Sequence, residues 1–193
     1  MKSKFLFITG LLLLLNFSIN AQVGLKAGVD LSSVTTSNSK NEVGFHLGAI
    51  YDLKMSNKFY FQPGLLFASN GFAFEANEVL KKANISMYSL ELPLVFSFRP
   101  KVTDKSKLLL DFGLYARYGL FGKKKYEYHY SESINKSPFD AYNRFDTGIN
   151  LGIGYSYEKI TLSAAYQIGL TDAEKEISNM HHKKIRISLG YNF

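Results

Sequence analysis

The chain has 193 residues, no cysteine and a formal net charge of +7. Without cysteine it can form neither a disulfide nor a thiolate metal site, and a cysteine nucleophile is excluded. The basic excess is mild and does not indicate nucleic-acid binding. The length suits a single domain.

The first 21 residues, MKSKFLFITGLLLLLNFSINA, have the organisation of a secretory signal peptide. Lys2 and Lys4 precede an apolar run from Phe5 to Leu15, and polar residues lead to Ala21. A membrane-spanning helix needs about 20 apolar residues, so the run is too short to act as a retained anchor. We therefore expect residues 1–21 to be cleaved and residues 22–193 to form the mature domain.

The mature chain alternates apolar and other side chains with a period of two, which predicts β-strands. In chain order the predicted strands are 22–31, 43–53, 59–68, 85–98, 107–121, the two arms of a hairpin over 148–170, and 184–193. The hairpin turns at Glu158 and Lys159. Its second face carries Gly148, Gly152 and Gly154, where a water-exposed strand would carry lysine, glutamate or threonine. The pattern therefore favours an apolar face toward lipid and a narrow interior filled by small and polar groups.

The predicted connections alternate in length along the chain. Those over 32–42, 69–84, 122–144 and 172–183 are long, whereas those over 54–58, 99–106 and 158–159 are short. Short turns at one end and long loops at the other are typical of bacterial outer-membrane barrels. Aromatic residues fall near the short-turn end, as an interfacial girdle requires: Tyr51, Phe59, Phe61, Phe96, Phe98, Tyr155, Tyr157, Tyr191 and Phe193. We predict an all-β fold, an eight-stranded antiparallel up-and-down transmembrane β-barrel in the cell outer membrane; the alternative is a periplasmic sandwich or a lipocalin-like barrel.

Five stretches carry a resemblance to a known family. They are VGLKAGVDLS, FYFQPGLLF, YSLELPLVFSF, FDTGINLGIGYSY and the closing ISLGYNF, spread in order over residues 22–193. In these the chain resembles the PorT-like outer-membrane β-barrels of Bacteroidota. The resemblance implies an eight-stranded outer-membrane barrel. The family's name refers to protein secretion, but that role is not carried over to this chain without a matching functional motif. The terminal Phe193 resembles the signal by which barrels are handed to the barrel assembly machinery.

The predicted lumen face carries equal numbers of positive and negative side chains. They are Lys26, Arg99, Arg117, Lys184 and Arg186 against Asp30, Asp52, Glu91, Asp111 and Asp146. Charges in a narrow, dry space are tolerated when they are paired and hydrogen-bonded, so we expect a salt-bridged plug. We expect Arg186 or Arg117 to bind Glu91, because a guanidinium can hold a carboxylate through two hydrogen bonds. An ion or proton path gated by Glu91 is the alternative.

The stretch GKKKYEYHYSE, residues 122–132, combines Lys123, Lys124 and Lys125 with Tyr126, Tyr128 and Tyr130 at a period of two. It is interpreted as a hairpin beyond the membrane whose lysines contact lipid headgroups and lipopolysaccharide. The alternative is a docking edge for a protein or glycan partner.

No sequence motif indicates catalysis, a cofactor or a metal site. His129, His181 and His182 are expected to be solvated in loops, with His46 on the lumen face. Ser131, His129 and Asp140 can be assembled into a triad only on paper, since the chain has no nucleophile elbow. The function predicted is a non-enzymatic barrel that acts structurally or presents its outer loops to a partner. A small gated pore and a lipid-modifying barrel enzyme are the alternatives.

Overall fold

A computed structural model describes residues 21–36, 39–74, 80–128, 134–174 and 180–193. The predicted signal peptide lies almost entirely outside these residues. The strands are β1 (Ala21–Val34), β2 (Ser39–Lys54), β3 (Phe59–Phe74), β4 (Leu80–Phe98), β5 (Ser106–Tyr128), β6 (Ile134–Lys136), β7 (Phe145–Tyr157), β8 (Ile160–Gly169) and β9 (His182–Asn192). Among the described residues, no helix is both long and apolar enough to span a bilayer.

Eight of the strands close into an antiparallel barrel. Each pairs with its neighbour along the chain, except that β5 passes over β6 to pair with β7, and β1 pairs with β9 to close the cylinder. The short β6 pairs only with the end of β5, at residues 124–126, on the same edge of β5 that β7 occupies at residues 106–118. The eight-stranded up-and-down barrel predicted from the sequence is therefore confirmed.

The barrel is apolar outside and polar inside. Leu151 on β7 is 46 % exposed and Leu47 on β2 is 55 % exposed, whereas Glu91 and Asp30 on inward faces are fully buried. A water-soluble sandwich or lipocalin-like barrel would reverse this arrangement, because its apolar face forms the core. The apolar outer surface requires a membrane around it.

The lumen is narrow enough to require glycine at particular positions. A Cβ atom at Gly148 would lie 2.7 Å from the hydroxyl oxygen of Tyr115, and one at Gly28 would lie 2.7 Å from His46 Cε1. Both distances are shorter than van der Waals contact. The glycine-rich face at the start of β7 therefore makes room for large side chains from other strands.

At one end, several strands continue farther than the sequence predicted. β3 runs to Phe74 instead of residue 68, and β5 runs to Tyr128 instead of residue 121. The connections predicted as long over 32–42 and 69–84 therefore shorten to 35–38 and 75–79, so that part of the prediction is wrong. The apolar alternation ends where the outer surface becomes polar, but the backbone ladder does not need that alternation to continue. The long connections that remain are 129–144 and 170–181.

A β-bulge in β5 changes which residues face outward. Tyr88 of β4 pairs with Phe121, and Ser89 pairs with Gly119, so Leu120 is an extra residue in β5. Before the bulge the even-numbered residues of β5 face outward; after it Phe121 is 56 % exposed and the odd-numbered residues face outward. Arg144 Nη1 donates to the carbonyl oxygens of Gly119 and Leu120, each at 3.1 Å. These bonds occupy carbonyls at the irregular step of the ladder.

The described parts of the two long connections, residues 137–144, 170–174 and 180–181, lie over the barrel mouth. Four apolar side chains from these connections pack on four inward side chains at the strand ends. We call all eight residues the cap: Phe139, Tyr142, Ala173 and Met180 from the connections, and Val34, Phe72, Ile85 and Met87 from the strands. A Cβ atom at Gly122 would lie 2.8 Å from Pro138 Cγ, and one at Gly119 would lie 2.6 Å from Phe139 Cζ. Glycine at these two positions of β5 therefore leaves the space that Phe139 and Pro138 occupy.

Candidate functional site

The centre of the lumen is a closed cluster of charges around Glu91 of β4. Arg186 of β9 donates from Nη1 to Glu91 Oε1 at 2.6 Å and from Nη2 to Oε2 at 3.3 Å. Lys184 Nζ lies 3.5 Å from Oε2, and Arg117 Nε lies 3.4 Å from the same oxygen. Gln167 Nε2 adds a hydrogen bond to Oε1 at 2.9 Å. Both carboxylate oxygens are thus occupied by groups from β5, β8 and β9.

The positive charges of this cluster are shared with two further carboxylates. Arg186 also binds Asp30 through two hydrogen bonds of 2.9 Å, and Lys184 Nζ lies 3.4 Å from Asp30. Arg117 Nη2 lies 3.4 Å from Asp146, which also accepts from the Tyr115 hydroxyl at 3.1 Å. We call the six charged residues the central network: Asp30, Glu91, Arg117, Asp146, Lys184 and Arg186. Its charges sum to zero.

Four of the ten predicted lumen charges lie outside this network, namely Lys26, Asp52, Arg99 and Asp111, although Lys26 and Asp111 line one small cavity together with Arg186. Asp111 accepts a short hydrogen bond from Ser97 Oγ, and Lys26 lines two small cavities with Asp111. Nearer the short-turn end, Arg99 holds Asp52 through two hydrogen bonds, one of 2.8 Å, and its guanidinium lies 4.3 Å from the centroid of the Tyr60 ring. The lumen charges therefore form separate groups along the barrel axis.

An arrangement that sequence reasoning missed joins Asp30, His46 and Ser188. His46 Nδ1 lies 2.9 Å from Asp30 Oδ1, and Ser188 Oγ lies 2.9 Å from His46 Nε2. An ionised carboxylate can only accept, so the proton belongs on Nδ1, and Nε2 is then the acceptor for the serine hydroxyl. This is the order of contacts in a hydrolase triad. However, all three side chains are buried and Asp30 is also bound by Arg186 and Lys184.

Three cavities that the described residues line inside the barrel have the size of water molecules. Two cavities of about 10 and 20 Å³ lie between Lys26, Gln62 and Asp111, and a third of about 20 Å³ lies beneath the cap between Asn70 and Asp146. A cavity of 10 to 15 Å³ is about the least that holds one water molecule. None of these three spaces could admit an organic substrate.

On the outer surface, the bulge in β5 divides the three predicted lysines. Lys123 and Lys125 are exposed on the outward face, whereas Lys124 faces inward with Nζ 5.2 Å from the centroid of the Tyr142 ring. The side chains of Tyr126 and Tyr128, and the whole of Tyr130, lie outside the described residues. The structure therefore brings together two of the six predicted patch residues and separates a third from them.

Beneath these lysines lies a second aromatic girdle that the sequence pattern did not predict. Phe45, Phe67, Tyr88 and Phe121 lie side by side on β2 to β5; the rings of Tyr88 and Phe121 stack at 4.9 Å, and those of Phe67 and Tyr88 at 6.0 Å. We call these four residues the upper aromatic belt. Their separation along the sequence hides them, since each strand contributes one ring. Aromatic side chains of this kind mark the membrane–water interface.

The histidines do not assemble a metal site within the described residues, where no group of three His, Asp or Glu side chains could hold an ion. The expectation that His182 is solvated is wrong: it is the first residue of β9, is 7 % exposed and lies against Phe72. His181 is half-buried and contacts the Thr171 carbonyl oxygen. His129 and Ser131 lie outside the described residues.

Comparison with known proteins places the fold in one family. The family model described as outer membrane protein beta-barrel domain matches residues 15–174. No curated protein matches the chain. Neisserial surface protein A is similar in structure, with 13 % identity, coverage of 90 % of this chain and 99 % of that one, and a TM-score of 0.51.

Two further solved structures are similar at lower scores. Ail, the attachment invasion locus protein of Yersinia pestis, solved in complex with the heparin analogue sucrose octasulfate, has 18 % identity, coverage of 91 % of this chain and 100 % of that one, and a TM-score of 0.47. A major outer membrane protein from Thermus thermophilus has 13 % identity, coverage of 90 % and 99 %, and a TM-score of 0.45. The family model covers most of the sequence, and the chain accordingly belongs to the outer membrane protein β-barrel domain family and is an outer membrane protein.

Proposed function

We propose that this protein is a closed, non-conducting and non-enzymatic outer-membrane barrel that acts through the surface of its long-loop end. The observation that carries the proposal is the central network. Glu91 and Asp30 use all four carboxylate oxygens on neighbouring side chains, and the network as a whole is neutral. A conducting lumen needs polar groups that face water, whereas these groups face one another.

The cap also supports a closed, non-conducting barrel. It covers the central network at the long-loop end with the apolar side chains of Phe72, Phe139 and Met180 among others. An ion that entered the lumen would have to pass this apolar layer and then displace paired charges. The small gated pore is therefore the less favoured function.

The lipid-modifying enzyme is disfavoured by the position of Ser188. Its hydroxyl contacts His46 inside the barrel, and the cavity of about 20 Å³ lined by Ser163, the register partner of Ser188 on β8, holds no more than water. We expect a fluorophosphonate probe, applied to the folded protein in detergent, to leave Ser188 unlabelled. Labelling that is lost in Ser188→Ala would instead support a hydrolase whose lumen opens.

The finer family resemblance also belongs to the proposal. The PorT-like motifs suggest a role connected with secretion, and the terminal Phe193 suggests delivery by the barrel assembly machinery; the long-loop end would then present its surface to lipopolysaccharide, a protein or a glycan. Residues 1–21 would be removed before insertion, leaving 22–193 as the mature barrel.

Conductance across a planar bilayer tests the proposal directly. We expect wild-type protein to give no stepwise current, with a wide porin as the positive control. A variant with Phe139→Ala, which removes one ring of the cap but leaves the central network intact, should also remain silent. Regular current steps from the wild type that disappear in Glu91→Gln would overturn the closed barrel in favour of the gated pore.

A further inference from the structure

The wall formed by β4 and β5 changes character just beyond the upper aromatic belt. On β5 the outward residue after Phe121 is Lys123 and the next is Lys125, each about 7 Å farther along the strand. On β4, Ser86 pairs in register with Lys123 and is exposed beside it. Two ammonium groups and a hydroxyl thus share one side of the barrel wall.

The bulge is the reason that two lysines face outward. If β5 continued without a bulge and Leu120 took its place in the regular alternation, the even-numbered residues would stay outside, and Lys124 alone of the three lysines would reach the outer surface. The bulge reverses this assignment, directs Lys123 and Lys125 outward and directs Lys124 toward Tyr142. A local irregularity has therefore doubled the positive charge on this outer wall.

The height of the lysines relative to the membrane follows from the aromatic residues. Tyr88 and Phe121 are register partners in the upper aromatic belt, and Ser86 and Lys123 are the next outward pair beyond them. Interfacial aromatic side chains lie at the level of lipid headgroups. Lys123 therefore lies within the headgroup layer, on the side of the barrel and not at its tip.

We propose that Ser86, Lys123 and Lys125 form a binding site for the phosphate of a glycolipid headgroup in the outer leaflet, with the acyl chains lying on the upper aromatic belt. This proposal deepens the proposed function by naming the lipid that the long-loop end binds. A lysine is a flexible point charge, so two lysines on one face can converge on a single phosphate, and the serine hydroxyl can donate a further hydrogen bond. A membrane ligand fits better than a soluble one because the patch faces sideways into lipid.

Native mass spectrometry of the full-length mature protein in detergent tests the site, with diphosphoryl lipid A as the probe. We expect Lys123→Gln combined with Lys125→Gln to weaken lipid A binding about 30-fold, since each lysine near an anionic surface contributes about fivefold in affinity. Ser86→Ala should weaken it less. Lys124→Gln is the matched control, because it removes the same charge from the same strand on the inward face, and binding should stay within about twofold of wild type.

Three results would overturn the proposal. The first is equal binding by wild type and the double variant, and the second is an equal loss in Lys124→Gln. The third is that a sulfated oligosaccharide or inorganic pyrophosphate binds this patch while lipid A does not, since the site would then serve a soluble anion. Phosphatidylethanolamine, whose headgroup has no net charge, should bind wild type and the double variant alike.

The result of the lipid A experiment does not depend on whether the barrel is closed to ions. Folding of each variant is checked by far-ultraviolet circular dichroism, and substitutions on the exposed wall leave the lumen untouched. Current steps from the wild type would refute the proposed closed state even if lipid A bound as expected. Failure of lipid A to bind at this site would leave unchanged the expectation that the wild type gives no current.

Discussion

Removing one charge from the central network should destabilise the barrel strongly. Glu91→Gln keeps the size of the side chain but leaves three cations, Arg117, Lys184 and Arg186, with two carboxylates, so one positive charge becomes uncompensated in a fully buried site. Breaking one partner of a buried ion pair costs about 3 to 5 kcal/mol. The amide nitrogen would also face Arg186 or Gln167, which donate to the carboxylate in the native protein.

The compensating substitution is at Lys184, and this choice follows from how the cations are shared. Arg186 retains two hydrogen bonds to Asp30, and Arg117 retains Asp146, when Glu91 loses its charge. Lys184 is the cation that then has only a shared contact with Asp30. Glu91→Gln with Lys184→Met restores neutrality, so the double variant should recover about half of the 3 to 5 kcal/mol lost, although each single variant is destabilised.

Urea unfolding of the protein in phospholipid vesicles, followed by far-ultraviolet circular dichroism, measures these free energies. Asp111→Asn is the comparison, because Asp111 is only partly buried and lies outside the central network; we expect a loss of about 1.5 kcal/mol, from weakening of its hydrogen bond with Ser97, which is smaller than the loss in Glu91→Gln. A cost below about 1 kcal/mol for Glu91→Gln would mean that water screens the network, and the reasoning from a desolvated cluster would be refuted. Additive losses from Glu91→Gln and Lys184→Met would refute the proposed sharing of charge.

Other predictions address topology and packing. Protease added to intact cells should cut in the 129–144 connection and spare the turn over 55–58, and cleavage confined to short turns would reverse the orientation. Leu151→Arg on the lipid face should cost about 2 to 4 kcal/mol in a folding assay, well beyond the cost of Leu151→Ala, and equal costs would reject lipid exposure. Gly148→Ala should lower the unfolding temperature more than Gly190→Ala, because a Cβ atom would lie 2.1 Å from the Ile168 carbonyl oxygen and 2.7 Å from Tyr115 Oη in the first case, whereas no atom would be closer than 3.6 Å in the second; equal shifts would contradict the packing described for the lumen.

The fold could be predicted because the relevant signal is local. Each strand shows which of its faces is apolar through neighbouring residues, as in Leu151 and Ile153 against Gly152, and the sum of eight such strands leaves a closed barrel as the solution in lipid. The same alternation of side chains identified Glu91, Arg117 and Arg186 as inward residues. Inward position is a property of the strand itself and needs no knowledge of its neighbours.

Contacts across the lumen could not be predicted from the alternation of inward and outward residues alone. Glu91 and Arg117 are register partners on β4 and β5, whereas Arg186 reaches Glu91 from β9, across the barrel. Their distances depend on strand tilt and stagger, which shift the height of each residue relative to those on other strands. For the same reason Lys26 and Asp111 face the same lumen as the central network but lie outside it.

The cap was missed for a different reason, since residues of the connections follow no period. Phe139 and Met180 are apolar residues within polar stretches, and nothing local distinguishes an exposed loop residue from one folded into the mouth. The signal that could have found the cap lies in β5, where Gly119 and Gly122 interrupt a strand just beyond the apolar band. A glycine inside a strand often marks a close approach by another segment, and here Phe139 and Pro138 make that approach.

The bulge links the cap to the outer surface. Arg144, which follows the cap residues Phe139 and Tyr142 along the chain, binds the carbonyl oxygens of Gly119 and Leu120 and lies 4.1 Å from the centroid of the Phe139 ring. The contacts that hold the cap in place therefore also hold the irregular step that turns Lys123 outward. A sequence pattern that ends the strand at Phe121 cannot reveal this, because Leu120 and Phe121 are both apolar and resemble the end of an alternating pattern. The interior of the barrel and the proposed lipid site on its outer wall thus depend on the same backbone irregularity.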